Sequence, residues 1–296
     1  MQASSKAAAY RPMTPGMRRI FYVASGLVVL AGIQLYILTD HTDRYFAWTI
    51  HPGLTAAFLG AGYFAAFFVE FLAARRKEWS RSRIAVYAVL VFTVMTFVAT
   101  ILHRDKFHFS SSQPVAQGSA WAWLAVYTIV PILTLIVIAR QAALRGGGDP
   151  PRERPLQAVV IAVLAVQGTV MLGLGAALFI APTHTASIWP WTLTPLTARA
   201  IAAWLLGVGV GLIHAAFERD FDRVAPGATA YLALGVLQLV ALARYSHDVD
   251  WGRPAAWVYL AFLLSILLVG AVGQVMAVRP PRPRQDVQGA AAQPTT

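Results

Sequence analysis

The chain has 296 residues, of which 57% are hydrophobic and 12% are charged, a composition typical of polytopic membrane proteins that excludes an ordinary soluble domain. The net charge of +11 lies mostly in loops between apolar segments, so it does not indicate nucleic acid as a partner. The absence of Cys excludes disulfides, thiolate metal sites and a cysteine nucleophile.

Eight apolar runs are long enough to cross a bilayer as helices. The first run follows Arg18 and Arg19. We interpret it as a retained helix and not as a signal peptide, because it is long and no small-residue cleavage site ends it. The sequence therefore predicts an all-α, polytopic membrane helix bundle. The predicted spans are residues 18–38, 53–74, 84–102, 119–139, 156–181, 196–217, 227–243 and 254–278.

A segment rich in Gly and Pro separates the first four spans from the last four. Such a composition cannot continue a helix, so it predicts a linker between two halves of the chain. We expect two parallel four-helix repeats, flanked by disordered polar tails. The predicted domains are residues 1–16 (cytoplasmic tail), 17–140 (first repeat), 141–155 (cytoplasmic linker), 156–278 (second repeat) and 279–296 (cytoplasmic tail).

The basic residues predict the orientation in the membrane. Eighteen of the 24 Lys and Arg residues lie in the two termini and in the loops after the second, fourth and sixth spans. Because basic loops stay on the cytoplasmic side, both termini are expected in the cytoplasm. Arg greatly outnumbers Lys, which favours a GC-rich bacterial genome, so we expect the protein in the cell (inner) membrane with the bilayer as its main partner.

One short segment occurs twice. Residues 41–52 and 184–195 share His, Thr, Trp, Thr and Pro in one ungapped register, and each precedes a run rich in small residues. This similarity predicts an internal duplication. With four helices in each copy, both copies insert in the same direction, so we expect a pseudo-twofold axis along the membrane normal and both repeated segments on the outer face.

The repeated segments give the candidate ligand site. Pro52 and Pro195 are typical of helix starts, and the Trp side chains are typical of an aromatic belt. Alternatively, the two segments line a shared outer vestibule at the repeat interface. Arg199 lies one turn into its span, where it either reaches up to the interface or binds an anion. The candidate ligand-binding residues are His41, Trp48, Thr49, His184, Trp191, Thr192, Arg199, Arg104 and Arg244.

Several outer histidines lie near aspartates and could hold zinc or copper. The candidate metal ligands are His41, His184, His108 and His247. No compact ligand spacing is present, so solvated histidines are the alternative interpretation. No cofactor is predicted.

Glu70 and Glu218 lie near the cytoplasmic ends of their spans, close in sequence to Arg75, Arg76 and Arg219. Surface ion pairs are the simpler prediction. A proton-coupling carboxylate at an inner gate is the alternative. The second and sixth spans carry small residues at a spacing of four, which predicts that they form the inner pair of helices.

The best functional prediction is small-molecule or ion binding and transport through an outward-facing site between the repeats. The first alternative is a non-catalytic membrane module, such as a sensor, an assembly factor or a complex subunit. Its contact surface would be the aromatic outer loops, with a second copy or another membrane protein as partner. The second alternative is an enzyme that modifies a lipid or quinone in the outer leaflet, although no catalytic residue can be nominated. Neither a P-loop nor a dinucleotide fingerprint is present.

Overall fold

The computed structural model describes residues 10–144 and 147–278. Within these ranges eight helices are long and apolar enough to span a membrane, which confirms the prediction of a helical membrane bundle. The chain is therefore a multi-pass membrane protein. The helices are α1 (Pro15–Gly32, continued by a π-helical turn Ile33–Ile37), α2 (Gly53–Ala74), α3 (Arg83–Leu102), α4 (Pro114–Ala142), α5 (Ala158–Ile180), α6 (Pro195–Glu218), α7 (Phe221–Arg244) and α8 (Pro254–Val278).

Two helices are longer than the sequence predicts. Helix α4 begins at Pro114, because proline at the first helical position lacks only an N–H that has no partner there. Helix α7 begins at Phe221 and continues through Pro226. A proline inside a helix removes one backbone hydrogen bond, but the surrounding helices keep the segment helical.

Helices α2 and α6 form the centre of the bundle. They have the largest buried shares of the eight spans, 67% and 50%, as the spacing of their small residues predicts. Helix α2 packs against α1 and α7, and α6 packs against α5 and α3. Helix α4 completes the first half on α3, and α8 completes the second half on α7. The halves therefore meet along the α2–α7 and α3–α6 contacts.

Glycines allow these central helices to approach their neighbours closely. A Cβ at Gly60 would lie 2.6 Å from the backbone nitrogen of Tyr36 on α1, and a Cβ at Gly207 would lie 2.9 Å from Cβ of Phe92 on α3. The two glycines thus face different helices. Direct contact between α2 and α6 occurs where Gly62 meets the Trp204 ring, which a Cβ would approach to 2.9 Å.

At one end of the bundle, the segment before α1 is held by backbone hydrogen bonds. The N–H of Met13 donates to the carbonyl of Lys77 (2.8 Å), and the N–H of Trp79 donates to the carbonyl of Arg11 (3.0 Å). These bonds do not fit the predicted disordered tail over residues 10–16. The rest of that tail, residues 1–9, and the predicted tail 279–296 lie outside the described residues.

The predicted linker is held in the same way at the same end. The N–H of Leu156 donates to the carbonyl of Arg219 (3.0 Å), and the N–H of Phe221 donates to the carbonyl of Arg154 (2.8 Å). The Arg223 guanidinium also donates to the carbonyl of Pro150 (2.8 Å). We call this end, with segments 75–82, 147–157 and 219–220, the basic end.

The opposite end carries both copies of the repeated segment. Helix α2 begins directly after Pro52, and α6 begins at Pro195, as predicted from the two prolines. Backbone hydrogen bonds join each copy to a later loop: His108 N–H donates to Ala47 O (2.9 Å), and Asp250 N–H donates to Pro190 O (3.1 Å). We call this end, with segments 38–52, 103–113, 181–194 and 245–253, the aromatic end.

Candidate functional site

A large cavity lies inside the half of the bundle nearer the basic end. Its volume is about 550 Å³, within the range of small-molecule sites. Helices α2, α3, α6 and α7 enclose it, and residues of α5 and α8 complete its wall. The lining is mostly apolar, so the cavity suits a molecule with a large apolar part.

Small residues leave the space that the cavity occupies. The facing surfaces of α2 and α3 carry Ala65, Ala66 and Ala88 where larger side chains would fill the gap. Gly62, Gly207 and Gly211 also line the cavity, but a Cβ at each of them would meet a neighbouring helix. Aromatic rings bound the cavity toward the membrane centre, where Phe92 and Trp204 have ring centroids 4.0 Å apart and Tyr63 packs edge-on against Trp204 at 5.0 Å.

A second cavity of about 200 Å³ lies nearer the aromatic end, between α1, α2, α3 and α4. Four residues line both cavities: Val28, Glu70, Val89 and Phe92. The two spaces therefore adjoin each other at the centre of the bundle, one on the basic side and one on the aromatic side.

Both cavities extend to the lipid-facing surface. Val159 of α5 and Leu268 of α8 line the large cavity and are exposed on the outside of the bundle. A hydrogen bond between Gln167 and Ser265 (2.9 Å) bridges α5 and α8 farther toward the aromatic end. Leu30 of α1, which lines the smaller cavity, is also exposed. A lipid-soluble molecule could therefore enter from the membrane.

Glu70 is the only residue with a carboxyl group among the described residues that line the cavities. Its side chain is buried, with 3% of the residue exposed, and Oε2 has no hydrogen-bond partner in the described part of the chain. The predicted surface ion pair of Glu70 is therefore wrong. The helix turns this side chain into the bundle, whereas Arg75 and Arg76 lie beyond the end of α2.

Glu218 has the opposite environment, although it lies at the equivalent end of α6. Its carboxylate forms ion pairs with Arg83 and with Arg223 (2.7 Å), and Nε2 of His214 lies 3.2 Å away. Asp149 of the linker adds a second carboxylate 2.7 Å from Arg83. Glu218 is ion-paired, but the pair is buried and not at the surface as predicted, and its partners come from α3 and α7 and not from Arg219.

The structure places the two tryptophans of the predicted outer site in packed aromatic clusters. Trp48 is buried, and its ring centroid lies 4.9 Å from that of Trp123. Trp191 is also buried, with ring centroids 5.2 Å from Trp189 and from Tyr259. Nε1 of Trp191 donates to Thr55 Oγ1 (2.9 Å). These rings stabilise the fold of the aromatic end.

The other repeated residues of the prediction lie at the surface. His41, Thr49, His184 and Thr192 are exposed. Thr49 Oγ1 lies 3.0 Å from Nε2 of His108, and Nδ1 of His108 lies 2.9 Å from the carbonyl of Phe46. Because a carbonyl can only accept, Nδ1 carries the proton and Nε2 accepts from Thr49.

Arg199 contacts the ends of two other helices. Its Nε donates to the carbonyl of Phe179 (3.0 Å), and its Nη1 donates to Nε2 of His103 (2.7 Å). Burial and, next, the charge of Arg199 lower the pKa of His103 below its usual value. This contact could not be predicted, since His103 and Arg199 are far apart along the chain.

The remaining two arginines of the prediction are exposed. Nη1 of Arg244 donates to the carbonyl of Tyr36 (2.9 Å), and Arg104 lies in a short turn after α3. Neither cavity is lined by any of the nine predicted residues. The outward-facing site therefore stays a prediction.

No group of three or more potential metal-ligating side chains occurs within the described ranges. Of the four candidate histidines, His108 uses both ring nitrogens in hydrogen bonds, and His247 is exposed with Nε2 3.5 Å from Asp248. His41 and His184 lie in different copies of the repeated segment and are exposed.

Comparison with known proteins gives no match: neither a family model, nor a curated protein, nor a solved structure is significantly similar to the chain. The two adjoining cavities and Glu70 are therefore the features that point to a function. The sequence had offered Glu70 only as the alternative, a carboxylate at an inner gate, although a carboxyl group between Val69 and Phe71 inside an apolar span is costly unless it has a role.

Proposed function

We propose that this protein binds a small, mostly apolar molecule inside the bundle and moves it between the two sides of the membrane. The observation that carries the proposal is the pair of cavities, about 550 and 200 Å³, that lie toward opposite ends and share four lining residues. A molecule in one cavity would need only to pass the ring of Phe92 and the side chain of Glu70 to reach the other.

The proposal includes two structural repeats, and equivalent backbone hydrogen bonds in the two halves support it. The register that aligns residues 41–52 with 184–195 also aligns Arg11 with Arg154 and Met13 with Leu156. The carbonyl of Arg11 accepts from Trp79, shortly before α3, and that of Arg154 accepts from Phe221, the first residue of α7. Met13 and Leu156 each donate to the loop before the same helix. The same register aligns Ala47 with Pro190, which both accept from a loop N–H at the aromatic end.

The helix contacts support the same relation. The most extensive helix contacts of one half have equivalents in the other half. The α1–α2 contact corresponds to α5–α6, and the α3–α4 contact corresponds to α7–α8. Between the halves, the α2–α7 contact corresponds to α6–α3. Two parallel repeats around an axis along the membrane normal can rock against each other about their interface. Such a motion would open the two cavities in turn.

The proposed orientation has the basic end in the cytoplasm, because the loops at that end carry most of the Lys and Arg residues. The membrane would be the cell membrane of a bacterium. The larger cavity would then lie in the cytoplasmic half of the protein, and the smaller one in the outer half.

Binding is tested with the neutral fluorophore N-phenylnaphthylamine and the protein in lipid nanodiscs. Val163→Trp and Val208→Trp each fill part of the large cavity from a different helix, so we expect both to abolish saturable fluorescence enhancement. The matched control is Val166→Trp, an equal change at an exposed position of α5 outside both cavities. Unchanged binding in both cavity variants would contradict the proposal.

Movement is tested separately with single cysteines in the Cys-free chain. Ala66→Cys lies in the large cavity, and Ala122→Cys lies in the smaller one. If the cavities open in turn, the fluorophore should change the labelling rates of the two cysteines by a membrane-impermeant maleimide in opposite directions. If the fluorophore changes neither labelling rate, the proposal of binding stands, but the proposal of transport is contradicted.

The non-catalytic module is the second candidate, and exposed aromatic side chains favour it. Trp121 and Trp257 lie at the aromatic end, and more than half of each residue is exposed. Each ring contacts another aromatic ring of a neighbouring loop, Phe109 and Trp251 respectively. A protein partner at this face would explain them, and Trp121→Ala with Trp257→Ala would then abolish co-purification of that partner while leaving fluorophore binding intact.

A further inference from the structure

We infer that the molecule bound in these cavities is a lipophilic cation, with Glu70 as its counter-charge. The inference rests on the proposed binding function and names its substrate class. It depends on the position of Glu70, on the pairing of the nearby arginines and on the apolar lining of the cavities.

Glu70 lies where the two cavities meet, and Oε2 lacks a hydrogen-bond partner among the described residues. A carboxyl group buried among apolar side chains destabilises the protein unless a cation or a hydrogen-bond donor contacts it. A ligand that brings a positive charge to this point therefore gains an interaction that no described residue of the chain supplies.

The basic residues that line the large cavity are already paired. Arg223 contacts Glu218 (2.7 Å) and Asp149 (3.5 Å), and Arg81 lies 3.7 Å from Glu78. These carboxylates offset the positive charge at the basic end of the cavity. Glu70 thus supplies the unpaired acidic group of the site, and an anionic ligand would be disfavoured by it.

The rest of the site suits the apolar part of such a cation. Phe92 and Trp204 place aromatic rings beside the meeting point of the cavities, and aromatic faces attract cations as well as apolar groups. The exposed lining residues Val159 and Leu268 connect the large cavity to the lipid, from which a lipophilic cation would partition.

The test uses tetraphenylphosphonium and tetraphenylborate, two ions of the same shape and opposite charge, as competitors of N-phenylnaphthylamine in nanodiscs. The measured quantity is the ratio of their half-displacement concentrations. We expect Glu70→Gln to weaken tetraphenylphosphonium by about tenfold relative to tetraphenylborate. Because the comparison is made between variants in the same lipid, the different partition of the two ions into the bilayer cancels.

Two variants control for charge and for structure. Glu70→Asp keeps the carboxyl group and should keep the preference for the cation. Asp43→Asn removes one negative charge from an exposed position at the aromatic end and should leave the ratio as in the wild type. If Glu70→Gln binds the fluorophore normally and its ratio equals that of the wild type, the counter-charge inference is overturned while the proposed function stands.

Failure of the proposed function gives a different result. In that case the wild-type protein shows no saturable binding of the fluorophore, or Val163→Trp and Val208→Trp leave it unchanged, whatever the variants of Glu70 do. Saturable binding with a shifted ratio in Glu70→Gln supports both the site and its preference for cations.

Discussion

The indole nitrogen of Trp191 donates a 2.9 Å hydrogen bond to Oγ1 of Thr55, which ties the second copy of the repeated segment to the helix that follows the first copy. In the register of the two copies, Trp48 corresponds to Trp191, and Ala198 corresponds to Thr55. Alanine offers no side-chain acceptor. Accordingly, Nε1 of Trp48 is buried without a hydrogen-bond partner among the described residues.

Ala198→Ser should supply the missing acceptor to Trp48. Satisfying a buried donor contributes about 1 kcal/mol, so we expect the thermal unfolding midpoint to rise. Ala202→Ser is the control, because Ala202 is equally buried on α6 and a hydroxyl there should destabilise the protein. If both substitutions lower the midpoint equally, the correspondence between the halves does not extend to this contact.

Glu70 and Glu218 should respond in opposite directions when their charges are removed. Glu70→Met replaces a buried, unpaired carboxyl group with an apolar side chain of similar length, so we expect a higher thermal unfolding midpoint. Glu218→Gln leaves Arg83 and Arg223 without their main partner and should cost about 3 kcal/mol. Thermal unfolding of both variants in one detergent checks the prediction, and a destabilised Glu70→Met would contradict it.

If Glu70→Met is more stable than the wild type and no longer prefers cations, the carboxyl group of Glu70 lowers the stability of the protein but serves binding. Residues that serve binding are often not the most stable choice at their position. The two measurements together would distinguish a binding residue from one that only fills space.

The spans were predictable because hydropathy is a local property of the sequence. The paired prolines similarly gave the starts of α2 and α6, since the preference of proline for a helix start depends on local backbone geometry. The inner position of α2 and α6 followed from small residues at regular spacing.

The cavities and the surroundings of Glu70 were not predictable because they depend on packing between distant segments. The sequence placed Glu70 with Arg75 and Arg76 by proximity along the chain, but the direction of its side chain is set by the contacts of α2. Likewise, the two tryptophans of the repeated segments suggested a vestibule, whereas Trp48 and Trp191 pack against aromatic rings from later helices.

The contact between His103 and Arg199 should make stability depend on pH. Burial and the charge of Arg199 lower the pKa of His103 in the folded protein, so the unfolded chain binds a proton there more readily. Stability from this site is full above the usual histidine pKa of about 6.5 and is lost as the pH falls below that value. Protonation would also convert Nε2 from an acceptor into a second donor facing Arg199.

The measurement is the thermal unfolding midpoint from about pH 7 to about pH 5. His103→Gln keeps an acceptor for Arg199 but does not titrate, so its midpoint should fall less than that of the wild type. His247→Gln removes an exposed histidine at the same end and should fall as the wild type does. Equal pH dependence in all three proteins would show that His103 does not control it.

Cysteines at Ala88 and Gly211 should form a disulfide between α3 and α6. A Cβ at Gly211 would lie 3.4 Å from Cβ of Ala88, close to the Cβ separation of about 3.5 to 4.5 Å in disulfides. Ala88→Cys with Gly118→Cys is the control, since a Cβ at Gly118 meets no atom within 4 Å, so this pair should stay reduced. Peptide mass spectrometry after mild oxidation measures both. Ala88 and Gly211 form part of the cavity wall. If the first pair does not crosslink, α3 and α6 do not pack together in this way, and the cavity on which the proposed function depends is not formed.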